Sequence, residues 1–72
     1  MDTLAVFRSR SEALKVYKLL QKKRIACATV NTPIYLGVGC GISVVFHNTL
    51  TDIVVATIKS LDTNSFIGFY KK

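Results

Sequence analysis

TLAVFRSRSEALKVYKLLQKK, residues 3–23, is the stretch of this chain that decides its fold. Its opening segment, Thr3–Arg8, is rich in apolar residues and predicts a strand. Ser9 is a typical N-cap residue, and Glu12 three places later predicts a capping box. The helix that follows is expected to end near Lys22–Lys23, where basic side chains suit the negative end of the helix dipole. Its apolar face consists of residues at helical spacing: Ala13, Val16, Tyr17 and Leu20.

The rest of the chain supplies three further strands and a second helix. Ile25–Asn31 and Gly41–His47 predict the second and third strands, the latter rich in β-branched residues. Thr49, with Asp52 three places on, repeats the capping pattern at the start of the second helix. The apolar stripe of that helix is expected to be Leu50, Ile53, Val54, Ile58 and Leu61. After a polar turn, Phe66–Tyr70 predicts the last strand.

The order β-α-β-β-α-β predicts an α+β, ferredoxin-like sandwich, with an antiparallel four-stranded sheet and two helices on one face. Its length suits one domain spanning residues 1–72. Alternation along the third and fourth strands leaves apolar side chains on both faces of the sheet; on the fourth strand, Ile67 and Phe69 are expected on one face and Phe66 and Tyr70 on the other. A bare apolar face favours a partner, so we expect a homodimer with Phe46 or Phe69 in the contact.

The chain is basic, with a net charge of +6 from 10 Lys+Arg against 4 Asp+Glu. This favours acidic partners without specifying one. Lys15, Lys18 and Lys22 are predicted to lie on the solvent face of the first helix. Residues 25–51 contain no charged residue, but Pro33 and three glycines keep every apolar run below the ~20 residues of a spanning helix, so no membrane span is expected.

The expected location is the cytoplasm, because the opening Met1–Thr3 lacks the basic segment of a signal peptide. Both cysteines are then expected to be reduced. Cys27, between two alanines in a predicted strand, is expected to act as a small buried hydrophobe. A disulfide between Cys27 and Cys40 stays open as an alternative. His47 has no second histidine or carboxylate cluster beside it, so no metal site is expected.

The segment Thr32–Gly41 carries the strongest functional signal. It holds the only proline, three of the four glycines and one of the two cysteines. Gly39 and Gly41 flank Cys40 and leave its thiol little cover. In the predicted topology this loop lies beside the start of the first helix, whose free N–H groups and dipole stabilise a thiolate and lower a thiol pKa from about 8.5. The expected neighbours of the thiol are Ser9, Arg10 and Ser11.

The chain resembles the family of selenium/sulfur carrier-like proteins over nearly its full length. The resemblance rests on the strand ending at Phe7, the helix segment 13–20, the Thr32–Pro33 step and the Cys40–Gly41 pair seven residues after Pro33. It implies that Cys40 holds sulfur or selenium as a persulfide or perselenide, between a protein donor and a protein acceptor. It implies a carrier with no cofactor, not an enzyme acting on a small substrate.

An RNA-binding module, or a structural or regulatory dimerisation module without thiol chemistry, is the alternative. Ferredoxin-like sheets can stack bases on exposed aromatic side chains, and Phe7, Phe46 and Phe69 are the candidates for such a platform. The third strand is mostly aliphatic and lacks the glycine-aromatic pattern typical of these modules. We therefore expect thiol carriage rather than nucleic-acid binding.

Overall fold

The computed structural model describes all 72 residues and contains a single four-stranded sheet with two helices. The elements follow the chain as β1 (Thr3–Phe7), α1 (Arg10–Lys22), β2 (Cys27–Asn31), β3 (Ile42–Phe46), α2 (Thr51–Ser60) and β4 (Phe66–Lys71). The strands lie in the order β2-β3-β1-β4, and every neighbouring pair is antiparallel. The predicted ferredoxin-like α+β sandwich is confirmed. Neither helix is long and apolar enough to cross a membrane.

Helix α1 begins as predicted, although Glu12 has a different role from the one expected. Ser9 is the N-cap, and its hydroxyl accepts a hydrogen bond from the Glu12 N–H at 3.3 Å. The Glu12 carboxylate accepts bonds from the N–H and the hydroxyl of Ser65, at 3.0 and 2.5 Å. The capping box is therefore half formed, and its acidic member ties the first turn of α1 to the start of β4.

Helix α1 ends in a left-handed residue that is not a glycine. Arg24 has φ 61°. Its N–H donates to the Gln21 carbonyl, and the Ile25 N–H donates to the Leu20 carbonyl, both at 2.9 Å. This pair of bonds is the Schellman motif, which usually places glycine at the left-handed position. Ile25 then packs against the core, so the chain leaves the helix towards β2.

The start of α2 differs from the prediction. Thr49 is not its N-cap: residues 48–50 form a short 3₁₀ turn, and the His47 side chain accepts a bond from the Thr49 N–H at 3.3 Å. The stripe is also shifted, because Ile53 is 44% exposed whereas Thr57 is fully buried. The Thr57 hydroxyl bonds to the Ile53 carbonyl at 2.9 Å, which makes a polar residue tolerable there.

Two apolar clusters lie on opposite faces of the sheet. The larger one lies under both helices, and its buried members are Ala5, Phe7, Ala13, Val16, Leu20, Val44, Phe46, Val54 and Ile58. The smaller one lies on the face without helices, the open face, and its buried members are Leu4, Val6 and Val45. Leu36 and Val38, from the segment between β2 and β3, pack against this second cluster. The chain therefore covers part of the open face itself.

The predicted faces of β4 were wrong because the strand contains a bulge. The register with β1 shifts between Val6 and Phe7, so that Phe7 faces Phe66 while Val6 faces Gly68. The extra residue, Ile67, turns Phe66 and Phe69 to the same, helix-covered face. Their rings contact each other at 5.0 Å between centroids.

The residues expected to form the dimer contact and the RNA platform were wrong, because all three aromatic rings lie on the helix-covered face; a homodimer stays a prediction. Phe7 and Phe46 are fully buried beneath the helices, and Phe69 packs edge-on against Phe46 at 5.7 Å between centroids. None of the three rings is available on the open face for a second sheet or for a nucleic-acid base. Lys15, Lys18 and Lys22 are exposed, as predicted.

Candidate functional site

Three hydrogen bonds hold the segment that carries Cys40, one within the segment and two to the sheet. The Thr32 N–H donates to the Gly41 carbonyl at 2.8 Å and closes the loop at its base. The Cys40 N–H donates to the carbonyl of Phe7, the last residue of β1, at 3.0 Å. The hydroxyls of Thr32 and Ser43 are hydrogen-bonded at 2.6 Å, and both residues are buried. A backbone held by these bonds keeps Cys40 at a defined position beside the end of β1.

Gly39 lets the loop approach β1 closely. It has φ +90°, and a Cβ built on it would lie 2.7 Å from Val6 Cγ1 and 3.3 Å from the Phe7 carbonyl oxygen. Gly41 also has a positive φ, of +94°, but a Cβ there would meet nothing within 4 Å. Space and backbone conformation thus both require glycine at position 39, whereas only backbone conformation favours it at position 41.

The Cys40 thiol is half-buried and has one weak polar contact. Its S–H donates to the carbonyl oxygen of Ile42 at 3.5 Å. A thiolate has no proton to donate, so forming the nucleophile breaks this contact and no other hydrogen bond of the side chain. The backbone bond from Cys40 to Phe7 does not involve the thiol and can persist while the side chain moves.

Ser9, the N-cap, and Arg10 and Ser11, the first residues of α1, follow closely after Phe7, but none of them hydrogen-bonds to Cys40. The Ser9 hydroxyl is shared between the Glu12 N–H and the Ser11 hydroxyl, 2.9 Å away. Arg10 is exposed. The link between this helix start and the cysteine runs through the Phe7 carbonyl, so a binding role for these three residues stays a prediction.

Cys27 lies at the other end of the sheet and packs against the helix-covered cluster, where burial raises its pKa. It pairs with Phe46, whereas Cys40 precedes Ile42 at the start of the same strand. Four strand residues span about 13 Å, and a disulfide needs Cα atoms within about 7 Å. The two cysteines are therefore too far apart for a disulfide within one chain, so that alternative was wrong, and both cysteines are free.

Three cavities lie near this end of the molecule, one of about 250 Å³ being bounded by Thr29, Val30, Asn31 and Ile42. An open one of about 280 Å³ is bounded by the loop around Cys40, from Thr32 to Gly41. A larger one of about 390 Å³ lies at the end of α2 and is bounded in part by Lys59, Thr63 and Phe66. The Thr63 hydroxyl is buried without a hydrogen-bond partner. Cys40 lines none of these cavities; the one bounded by the loop lies next to it, because its two neighbours Gly39 and Gly41 line that cavity.

Sequence reasoning missed the contacts that hold the loop. The carbonyl of Phe7 carries no signal in the sequence, because every residue has one. Ser43 did carry a signal: it stands within an apolar strand on the same face as Val45, and a buried hydroxyl needs a partner. Its partner, Thr32, is the residue at which the loop begins.

Comparison with models of protein families assigns the chain to one family. Residues 2–65 of its 72 match the model of the family described as "Putative Se/S carrier protein-like". The chain belongs to this family. The match includes the Cys40 loop, the start of α1 and every strand except β4. No curated protein and no solved structure gives a significant match.

Proposed function

We propose that this protein is a thiol-based carrier that holds sulfur or selenium on Cys40. The Cys40 thiolate attacks the terminal atom of a donor persulfide or perselenide. A new bond forms from Cys40 Sγ to that atom, and the donor thiolate leaves with the electron pair of the broken bond. An acceptor thiolate then takes the atom by the same exchange and releases Cys40. No external oxidant or reductant enters either step.

The position of Cys40 carries this proposal. Its backbone is fixed by the bond to Phe7, its thiol makes only one weak hydrogen bond, and its two neighbours, Gly39 and Gly41, have no side chains to cover it. The other thiol, Cys27, packs against the core and has a raised pKa. The family description supports the same chemistry.

Protein donors and acceptors are the proposed partners, and the cytoplasm, where thiols stay reduced, is the proposed location. The start of α1 is the proposed electrostatic support. Its N–H groups and dipole favour an anion, and Arg10 adds a positive charge. In the proposal Ser9, Arg10 and Ser11 act on the thiolate or persulfide anion from the same end of the sheet.

Intact-mass spectrometry tests the proposal. The reduced protein is incubated with glutathione persulfide and analysed without reductant, together with Cys40→Ser and, as a matched control, Cys27→Ser. The wild type and Cys27→Ser are expected to gain the mass of one sulfur atom, which dithiothreitol removes. Cys40→Ser is expected to gain none. Loading of Cys40→Ser to the wild-type level, or loss of loading in Cys27→Ser alone, would contradict the assignment of Cys40.

A further inference from the structure

The two most exposed large apolar side chains of the protein are neighbours in the Cys40 loop. Ile34 is 96% exposed and Tyr35 is 79% exposed. Both belong to the 3₁₀ turn Ile34–Leu36, which ends in Gly37 at φ 65°. We call Ile34 and Tyr35 the apolar tip.

Packing of the loop does not account for the apolar tip. Leu36 and Val38 are the loop residues that cover the open face of the sheet. Ile34 and Tyr35 belong to neither apolar cluster. Side chains left in water forgo about 1.5–3 kcal/mol each relative to burial, so the fold itself gains nothing from apolar residues here.

Resting on the proposed function, we propose that the apolar tip docks Cys40 onto an acidic donor protein that carries a persulfide. The tip enters an apolar recess of the donor beside its persulfide. Arg8 and Arg10, which are exposed and follow the strand end that binds Cys40, face acidic groups of the donor. The thiol and the tip belong to one short loop, so docking of the tip brings the Cys40 thiol close to the donor persulfide.

The area of the tip and the charge of the chain favour this occupant over a second copy of the chain. The two side chains offer at most about 300–500 Å², if each is given the roughly 150–250 Å² that an aromatic side chain buries. A stable dimer needs about 800 Å² from each partner, whereas weak transient contacts are smaller. Two copies would also bring together net charges of +6 each. A small contact with an acidic protein suits a carrier that must be released after each transfer.

The test compares a protein donor with a small one. Sulfur transfer to Cys40 is timed from a cysteine desulfurase loaded with persulfide and, separately, from glutathione persulfide. The variant is Ile34→Ser with Tyr35→Ser. The matched control is Ile53→Ser, which alters another exposed apolar side chain, on α2. We expect the double variant to lose about tenfold in rate with the desulfurase and to keep its rate with glutathione persulfide. The control should keep both rates, and added salt should slow the transfer from the protein more than the transfer from glutathione persulfide.

Binding of the desulfurase to Cys40→Ser, by isothermal titration calorimetry, tests the docking without any transfer. Suppose that sulfur is transferred from neither donor, while the desulfurase still binds and this binding depends on the tip. That result would refute the carrier function but not the docking. Equal transfer and binding with and without the tip would overturn the docking. Two other results would also overturn it. If the wild type forms a dimer in sedimentation and the double variant does not, the tip binds a second copy. If the wild type binds phosphatidylglycerol vesicles and the double variant does not, the tip binds a membrane.

Discussion

Replacing Gly39 with alanine should lower the free energy of unfolding of the protein far more than the same change at Gly41. The two glycines share a positive φ, +90° and +94°, so alanine meets the same backbone strain at both. They differ in surroundings. At position 39 the new methyl group would lie 2.7 Å from Val6 Cγ1, and at position 41 nothing lies within 4 Å. Gly41→Ala is therefore a control for strain alone.

The expected losses in the free energy of unfolding follow from backbone strain and from the clash with Val6. A left-handed non-glycine residue costs about 1–2 kcal/mol, which is the expected loss for Gly41→Ala. An added methyl in a packed core costs a further 1–3 kcal/mol or so, and Val6 is fully buried and cannot move aside freely. The free energy of unfolding of a small domain is roughly 5 kcal/mol, so Gly39→Ala should remove about half of it or more.

Urea denaturation followed by circular dichroism measures the difference. With an m value of about 1 kcal/mol/M, the midpoint of Gly39→Ala should lie about 1–3 M below that of Gly41→Ala. Val6→Ala should cost less in the Gly39→Ala background than alone, with a coupling of about 1 kcal/mol. Equal midpoints for the two alanine variants, or no coupling with Val6, would refute the close approach of the loop to β1.

Three further predictions concern stability, pH and thiol reactivity. Arg24→Gly should raise the free energy of unfolding by about 1 kcal/mol, because φ 61° suits glycine, and a lower melting temperature would contradict this. Hydrogen bonds from Ser65 lower the pKa of Glu12, so the carboxylate stabilises the fold above about pH 4 and this contribution is lost as the pH falls through the lowered pKa. Glu12→Gln should flatten that part of the curve of urea midpoint against pH, and an unchanged curve would exclude Glu12 as its cause. Iodoacetamide at pH 8 should label Cys40 before Cys27 in peptide maps, because the raised pKa of Cys27 leaves less thiolate, and faster labelling of Cys27 would count against Cys40 as the site.

The β1–α1 stretch was predictable because its signals are local. The N-cap at Ser9 and the buried face of Ala13, Val16 and Leu20 depend on spacing within a few turns, and both are confirmed. The faces of β4 were not predictable in this way. The bulge that turns Phe66 and Phe69 to one side exists only in the pairing with β1, which no pattern within β4 records.

The candidate site was predictable as a loop but not in its detail. Glycines around Cys40 indicated an irregular backbone, and the structure has one there. Four apolar residues of the loop, however, have opposite roles: Leu36 and Val38 pack on the sheet, while Ile34 and Tyr35 are exposed. Hydropathy does not distinguish these pairs, because burial is decided by where the loop crosses the open face.

A carrier thiol has to be held in place and yet be free to change its bonds. In the function proposed for this protein, the two requirements fall on different atoms of one residue. The Cys40 N–H, bonded to Phe7 at 3.0 Å, fixes the backbone, while the thiol has only a weak bond to Ile42 at 3.5 Å. A backbone amide bond is unaffected by ionisation or by an added sulfur atom, so loading Cys40 costs one weak contact and leaves the loop anchored. In the proposed function, the loop would therefore present the same surface, Ile34 and Tyr35 included, to a donor before transfer and to an acceptor after it.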